Sequence, residues 1–283
     1  MTTLNRHLLS NRLLALAICG TVSCGDSAAG GPSPTRYDWP ERFAFNVDFV
    51  LSTQRDGREV LRYTESRTLR FGVRDDESYL VASDSVIKTR SEPDRQLEYL
   101  PLSAGDTLAW YLSLGSLGQL RGIMPACDPA LGECRGTLRS VLPLQLRRIV
   151  PRLSEWPVPA GSRWADTLEF DDATRPGGGR GSQVTTYRMG RDTTVGGEAY
   201  WKLEWHAVLR TYGAAGMSAI MGARPIEEDG VTLVHKTRLL PLYSAWMGAV
   251  VVGSDSGRVV ATGFRGRASL AGSVFDAGPA ARR

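Results

Sequence analysis

The chain has 283 residues, of which 42% are hydrophobic and 23% are charged, and its formal net charge is +4. This composition is ordinary for a globular protein with a sizeable core, and it excludes an intrinsically disordered chain. No apolar run reaches the roughly 18 residues of a membrane-spanning helix, and no basic run is interleaved with aromatic residues as in nucleic-acid grooves. We therefore expect neither an integral membrane protein nor a nucleic-acid-binding protein.

The first 23 residues have the parts of an export signal. Arg6 and Arg12 precede an apolar stretch at 13–18, and small residues lead to Cys24. A basic region, an apolar region and a small-residue cleavage zone, in this order, are typical of a cleaved signal peptide. The segment before Cys24 resembles the bacterial lipoprotein signal, in which a lipid is attached to an obligatory Cys. We predict a signal peptide over 1–23 and lipid attachment at Cys24.

Other interpretations of the N-terminus remain open. Cys19 is a poorer lipid acceptor, because Ile18 is too large for the position before the cleaved bond. An ordinary secretory signal cut near Ala29, or an uncleaved anchor, is the alternative to a lipoprotein. Residues 24–36 are rich in Gly, Ser and Pro and predict a flexible tether. Gly25 stands where an Asp often signals retention in the inner membrane. The expected location is therefore the cell envelope, with the outer membrane favoured.

Two cysteines remain if Cys19 leaves with the signal and Cys24 carries a lipid. They are Cys127 and Cys134, and an oxidising compartment predicts a disulfide between them. The loop-entropy model gives so short a ring at most about 2 to 3 kcal/mol. A zinc site would need two further ligands, and the mature chain offers only His206 and His235, which are not spaced as a ligand pair. We expect no metal and no cofactor.

The first half of the chain predicts antiparallel strands. Large apolar residues alternate with smaller or polar ones, which is the pattern of a strand buried on one face. The Asp56–Gly57 pair that follows indicates a hairpin turn, and further strands are predicted over 60–73 and 79–86. The alternating apolar positions of the first strand are Phe43, Phe45, Val47, Phe49 and Leu51.

The second half repeats this pattern. The clearest strand covers 201–209, after a turn at Gly196 and Gly197, and others are predicted over 166–170, 184–189 and 231–239. A last hairpin pairs 249–252 with 258–262. We predict a mainly β fold, namely a large twisted antiparallel sheet or open β-barrel with one short amphipathic helix packed on it. The expected domain is 37–283, with possible halves at 37–150 and 157–276.

The helix is predicted from apolar residues that recur every three or four positions between Leu138 and Leu153. The helix is expected to begin at Pro143, with this proline in its first turn, and to end at Pro151. A basic outer face is predicted from the arginines that fall off the apolar stripe, namely Arg139, Arg147, Arg148 and Arg152. The helix is interpreted as a plug on the sheet, and the alternative is a lid or a contact with anionic lipid.

Catalytic motifs are absent from the sequence. Ser218 lacks the second Gly of a nucleophile elbow, and the Gly-rich stretch 177–181 lacks the Lys-Ser/Thr of a phosphate loop. The acidic pairs 171–172 and 227–228 lie in predicted turns, where solvated charge is usual. His206 is expected at the surface and His235 in the core. We predict no catalytic residues and a protein that is not an enzyme.

Cys24, the tether, the antiparallel sheet and the helix together resemble periplasmic lipoproteins of the LolA, LolB and LppX kind, whose half-open β-barrel holds acyl chains. The resemblance covers the plan of the mature chain and implies an apolar ligand site. Two hypotheses follow: a carrier of a lipid or other hydrophobic ligand, or a non-enzymatic envelope module that binds a protein partner. Two strand rows are candidates for lining a ligand site, namely Trp201, Leu203, Trp205 and Leu209, or Phe43, Phe45, Val47 and Phe49.

Overall fold

The structure is a computed structural model. It describes residues 25–26, 32–75, 78–93, 95–102, 109–126, 141–172, 179–212, 225–253, 259–273 and 275. Cys24, Cys127 and Cys134 lie outside these ranges, as does Ser218. Lipid attachment at Cys24 and the disulfide between Cys127 and Cys134 therefore stay predictions.

The described residues form fourteen strands and one helix. The elements, in chain order, are β1 (Gly25–Asp26), β2 (Arg42–Arg55), β3 (Arg58–Asp75), β4 (Ser78–Ser91), β5 (Glu98–Tyr99), β6 (Ala109–Leu114), β7 (Leu120–Pro125), α1 (Val141–Ile149), β8 (Arg163–Asp172), β9 (Gly179–Met189), β10 (Thr193–Val195), β11 (Glu198–Tyr212), β12 (Ile226–His235), β13 (Pro241–Gly253) and β14 (Val259–Leu270).

The alternating apolar residues form strands because every second side chain points to the same face. In β2, Phe45 and Val47 are 1% and 5% exposed, whereas Asn46 between them is only half-buried. The turn from β2 to β3 takes positive φ at Asp56 and Gly57, a conformation that suits a two-residue hairpin. The predicted hairpin is thus confirmed, with both strands longer than expected.

All fourteen strands belong to one antiparallel sheet. Its main path runs β1, β10, β11, β12, β13, β14, β2, β3, β4, β6, β7, while β9 pairs with β11 and with β8, and β5 pairs with β4. The pairing of β14 with β2 extends from Val260 opposite Arg55 to Leu270 opposite Phe45. Strands from the first and second halves of the chain therefore lie in one continuous sheet. The predicted mainly β fold with one short helix is confirmed.

A single arginine shows that the sheet is strongly curved. Nine interstrand steps separate β8 from β6, which in a flat sheet would be about 43 Å. Nevertheless, Arg147 donates a hydrogen bond to the carbonyl of Gly118, in the β6–β7 turn, at 3.0 Å and forms an ion pair with Asp166 of β8. The two edges of the sheet, at β8 and at the β6–β7 turn, are therefore brought together across this side chain. We call the face that curves around Arg147 the inner face.

The segment after α1 fills the space between these two edges. The amide of Leu153 donates to the carbonyl of Leu117 at 2.9 Å, and the indole of Trp164 in β8 donates to the carbonyl of Arg152 at 2.8 Å. The Tyr37 phenol donates to the carbonyl of Pro151 at 2.9 Å. Residues 147–153 thus close the gap between the two edges of the curved sheet.

The prediction of a basic outer face on the helix was wrong. Arg147 is 6% exposed and pairs with Asp166, and Arg148 pairs with Glu228, so both arginines point into the fold. Helical periodicity identified the apolar stripe, but it assigned off-stripe charges to solvent by default. The helix begins at Val141, two residues before the predicted start at Pro143, which still places Pro143 in the first turn.

Parts of the predicted tether have defined contacts. Gly25 pairs with Thr194 in the short β1–β10 ladder. The amide of Ser33 donates to the carbonyl of Val158, and the amide of Val158 donates to the Ser33 hydroxyl, both at 3.0 Å. The described residues of this segment therefore lie against the domain at two points.

Candidate ligand-binding face of the sheet

A row of aromatic and glycine residues crosses the inner face. Cross-strand partners in register connect Trp205 of β11 to Gly230, Gly230 to Trp246, Trp246 to Gly266, and Gly266 to Phe49 of β2. Large rings thus alternate with positions that have no side chain. Because directly opposite residues on one face have Cβ atoms only about 4.5–5.5 Å apart, each ring has room to lie over the neighbouring glycine.

The glycines of this row are required by these rings. A Cβ at Gly230 would lie 2.1 Å from the indole of Trp205, and a Cβ at Gly266 would lie 2.3 Å from the indole of Trp246. Neither glycine has a positive φ, so the need for glycine is steric. The rings cover the sheet backbone at these glycines and give the inner face an apolar floor.

Helix α1 is attached to this floor through β12 and β13. Arg148 donates through both Nε and Nη2 to the carboxylate of Glu228, which is 1% exposed. The Ser244 hydroxyl donates to the carbonyl of Arg148 and lies 3.0 Å from the Thr232 hydroxyl, which lies 3.3 Å from the Trp205 indole nitrogen. The helix therefore has a fixed position over β12 and β13.

Apolar side chains beyond the helix remain only half-buried. Phe49 and Leu51 continue the inner face of β2 from the buried Phe45 and Val47, but they lie nearer the β2–β3 turn. The Phe49 ring lies 6.1 Å from the ring of Phe264 in β14. We call this surface the half-buried stretch. It consists of Phe49, Leu51, Leu61, Tyr63, Leu144 and Phe264.

The half-buried stretch borders the helix on one side. Phe264 and Leu144 of α1 pack against a small buried cluster of Leu209 and Ile226. The guanidinium of Arg148 lies 5.6 Å from the centre of the Phe264 ring. The apolar surface therefore continues from β2 across β14 to the underside of the helix.

Polar groups border the half-buried stretch on the other side. The Tyr63 phenol donates a hydrogen bond of 2.6 Å to Glu65, and Glu65 forms an ion pair with Arg67. The side chains of Glu65 and Arg67 are each 12% exposed. An apolar surface with a few polar groups at its border is the usual composition of a site for a small hydrophobic or amphipathic ligand.

The predicted row on β11 is divided between different surroundings. Leu203 is fully buried and packs within the main core, and Trp205 is 5% exposed beneath the helix. Leu209 lies in the cluster that contacts Phe264 and therefore borders the half-buried stretch. Trp201 lies toward the other end of the strand, where the ammonium of Lys236 is 5.6 Å from its ring. The structure thus brings Leu209, but not Trp201 or Leu203, to this surface.

The alternative row on β2 is divided in a similar way. Phe45 and Val47 are buried in the main core, and Phe43 stacks on Phe71 with ring centres 4.4 Å apart. Phe49 belongs to the half-buried stretch. Phe264 and Leu144 were not among the predicted lining residues. Phe264 alternates with Thr262 along β14, but the small residues around them hide this strand pattern in the sequence.

The two histidines of the described chain have structural surroundings. His206 is exposed and its Nδ1 lies 3.0 Å from Asp229. His235 is buried, and its Nδ1 accepts hydrogen bonds from the amides of Thr237 and Arg238 at 3.1 and 3.0 Å. Among the described residues, no group of three His, Cys, Asp or Glu side chains is placed to hold a metal ion.

A carboxylate and a phenol interact near His235. Tyr200 donates a hydrogen bond of 2.8 Å to Glu198, and this bond lowers the pKa of Glu198 below its ordinary value. Burial, together with the hydrogen bond and charge of Glu198, raises the pKa of Tyr200. Both groups hold their usual charge states more firmly, which fits a structural contact.

Comparisons with known proteins identify a similar fold but no family. No protein-family model matches the sequence, and no curated protein is significantly similar to it. Among solved structures, lipovitellin, which was described in terms of its lipid–protein interactions, is similar over 83% of this chain with 10% sequence identity and a TM-score of 0.50. The match covers 25% of the lipovitellin chain, so this chain spans about a quarter of that protein's length. The similarity concerns the fold alone. None of the described helices is long and apolar enough to cross a lipid bilayer.

Proposed function

We propose that this chain is a non-enzymatic lipoprotein of the cell envelope that binds a lipid or another hydrophobic ligand on the half-buried stretch. The observation that carries the proposal is the change in burial along β2. Phe45 and Val47 are buried, whereas Phe49 and Leu51, on the same face of the same strand, are not. An acyl chain lying along β2 and β14 would remove these side chains from water.

The likeness to lipovitellin supports the proposal at the level of the fold. Lipovitellin is a protein for which lipid–protein interactions are described, and the similarity includes most of this chain. The ring of Phe264 adds support, because it lies over Gly248, where a Cβ would be 2.3 Å from the ring, and so covers backbone within the half-buried stretch. Burial of one half-buried aromatic side chain by a ligand is worth about 1.5 to 3 kcal/mol at most.

Two neighbouring positions on β2 provide the test. Phe49→Glu places a charge in the half-buried stretch, while Val50→Glu places the same charge on the opposite face, at a residue that is also half-buried. Binding of cis-parinaric acid to the mature chain with Cys24→Ser is followed by its fluorescence. We expect saturable binding that Phe49→Glu weakens at least 10-fold, equivalent to about 1.4 kcal/mol, and that Val50→Glu leaves unchanged.

The controls make this test decisive. Circular dichroism and thermal unfolding establish that both variants fold. A wild-type chain that does not bind the probe, or equal weakening by both substitutions, contradicts the proposed ligand site. Mass spectrometry of organic extracts from the purified wild-type chain then identifies any lipid that it carries.

The anchor is tested separately. If Cys24 carries the lipid, the mass of the mature protein exceeds that of a chain beginning at Cys24 by the acyl groups, and Cys24→Ser moves the protein to the soluble fraction. A mature N-terminus near Ala29 contradicts lipid attachment at Cys24 and favours an ordinary secretory signal.

A protein partner is the second candidate, and one surface favours it. Ile87, Leu97 and Tyr99 are 54%, 55% and 73% exposed around the pairing of β5 with β4. Exposed apolar residues at a sheet edge are a common place for a partner to bind. A photo-crosslinking amino acid at Tyr99 that yields an adduct of one defined mass in cells supports this candidate, and the same amino acid at Arg58 is the control.

A further inference from the structure

The end of the domain that holds residue 25 is built from several segments in contact. Gly25 pairs with Thr194 of β10, and Ser33 forms two hydrogen bonds with Val158. The amide of Gly161 donates to the carbonyl of Met189 at 2.7 Å. We call this surface the anchor end. It comprises residues 25–26, 32–38, 154–163, 190–199 and 235–239.

Cys24 is covalently joined to this end. In the sequence it directly precedes Gly25. The partner of Gly25 is Thr194, which is two residues from the exposed turn at Gly196 and Gly197. A lipid on Cys24 would therefore hold the anchor end close to the membrane. The opposite end of the sheet, at the β2–β3 turn, is about 43 Å away along the thirteen steps of β2.

The anchor end exposes a large aromatic side chain. Trp156 is 74% exposed, and Pro157, Pro159 and Ala160 after it are exposed as well. Trp156 lies two residues before Val158, which contacts Ser33. Exposed tryptophan is costly in water but favourable at a membrane interface, where the ring contacts lipid and its N–H remains hydrated.

The charges at the anchor end leave a small positive surplus. The acidic side chains Glu155, Asp192 and Glu198 form ion pairs with Arg152, Lys236 and Arg238, respectively. In contrast, Arg163 and Arg191 are exposed, and no ion pair engages them within the described residues. Arg36 and Asp38, also exposed and without an ion pair there, offset each other, and the formal charge of Asp26 reduces the surplus to one positive charge. A surface of this kind is complementary to anionic phospholipid.

We infer that the anchor end is a membrane-docking surface, in which Trp156 enters the interface of an anionic bilayer and Arg163 and Arg191 contact its head groups. The inference rests on the lipid anchor of the proposed function. It orients the domain with the β2–β3 turn, and the half-buried stretch near it, away from the bilayer to which the chain is attached.

The acylated full chain is tested in vesicles. The fluorescent amino acid Anap is introduced at Ala160 of the anchor end or at Arg58 beside the β2–β3 turn, both of which are exposed. Vesicles contain phosphatidylcholine and phosphatidylglycerol at 3:1, with doxyl-labelled lipid as the quencher. We expect strong quenching at position 160 and none above background at position 58. Trp156→Ser is expected to halve the quenching at position 160 or reduce it further.

A second comparison tests the charges. With Arg163→Gln and Arg191→Gln together, quenching at position 160 on the mixed vesicles should fall to its value on phosphatidylcholine alone. Equal quenching at the two labelled positions, or none at position 160 in a chain shown by mass to be acylated, overturns the docking surface while leaving the anchor intact. A mature chain without the acyl group overturns the anchor and the docking surface together, and neither result bears on ligand binding at Phe49.

Discussion

The substitution Gly230→Ala is a direct test of the ring-over-glycine floor. The added Cβ would lie 2.1 and 2.2 Å from two atoms of the Trp205 ring, far inside van der Waals contact. Trp205 is 5% exposed and its indole lies 3.3 Å from the Thr232 hydroxyl, so the ring cannot move without disturbing its neighbours. We therefore expect Gly230→Ala to destabilise the fold.

The expected size follows from the cost of overpacking. One extra methyl in a closely packed region costs about 1 to 3 kcal/mol. For a chain of this size that loss lowers the melting temperature by about 2 to 12 °C. Urea unfolding of the mature chain with Cys24→Ser, followed by tryptophan fluorescence, measures the free energy of unfolding, and near-ultraviolet circular dichroism reports the movement of the Trp205 ring.

Gly263 of β14 is the matched control. It is also a strand glycine without positive φ, but a Cβ there would meet nothing within 4 Å. Gly263→Ala should therefore be neutral or stabilising, by up to about 1 kcal/mol. If both substitutions have the same effect, steric contact with Trp205 is not the reason for glycine at position 230. Recovery of stability when Trp205→Leu is added to Gly230→Ala would confirm that contact with the Trp205 ring is the reason for glycine at position 230.

Three further predictions concern other contacts. Glu228→Leu leaves Arg148 without its carboxylate and should lower the free energy of unfolding by about 3 to 5 kcal/mol in chemical denaturation. The double variant with Arg148→Met should recover most of this loss. Equal losses in the two variants would refute the pairing. Tyr200→Phe should raise the pKa of Glu198 toward its ordinary value in a carboxyl carbon NMR titration, and an unchanged pKa would contradict the hydrogen bond. Because the pKa of Glu198 is lowered in the folded state, the stabilisation by its carboxylate is present above the pKa of the unfolded state. It is lost as the pH falls through the pKa of the folded state. Trp156→Ser should change the free energy of unfolding by less than about 0.5 kcal/mol, since the side chain is 74% exposed, and a larger loss in thermal unfolding would show that Trp156 has a structural role.

The hairpin of β2 and β3 was predictable because local signals agree. Alternating apolar residues predict the strand, and Asp56–Gly57 predicts the turn that ends it. The second half of β14 was not predicted, because Gly263 and Gly266 interrupt the apolar pattern. Gly266 is small for a reason that lies in another strand, where the ring of Trp246 occupies the space.

The candidate site was only partly predictable for a similar reason. Phe49 and Leu209 were among the predicted lining residues, because both lie on strongly alternating strands. The inward position of Arg147 and Arg148 depends on Asp166 and Glu228, which are distant in sequence and share no characteristic spacing with them. Leu144 and Phe264 come together only when the sheet curves around the helix.

The pairing of β2 with β14 has a consequence for how the chain folds. The first long strand and the last one are neighbours in the middle of the sheet, so the central ladder joins residues about two hundred positions apart. Such non-local pairing slows folding, and β2 exposes an unpaired edge until residues 259–270 are available. A truncation that removes β14 would therefore divide the sheet at its centre and separate β2 from β13.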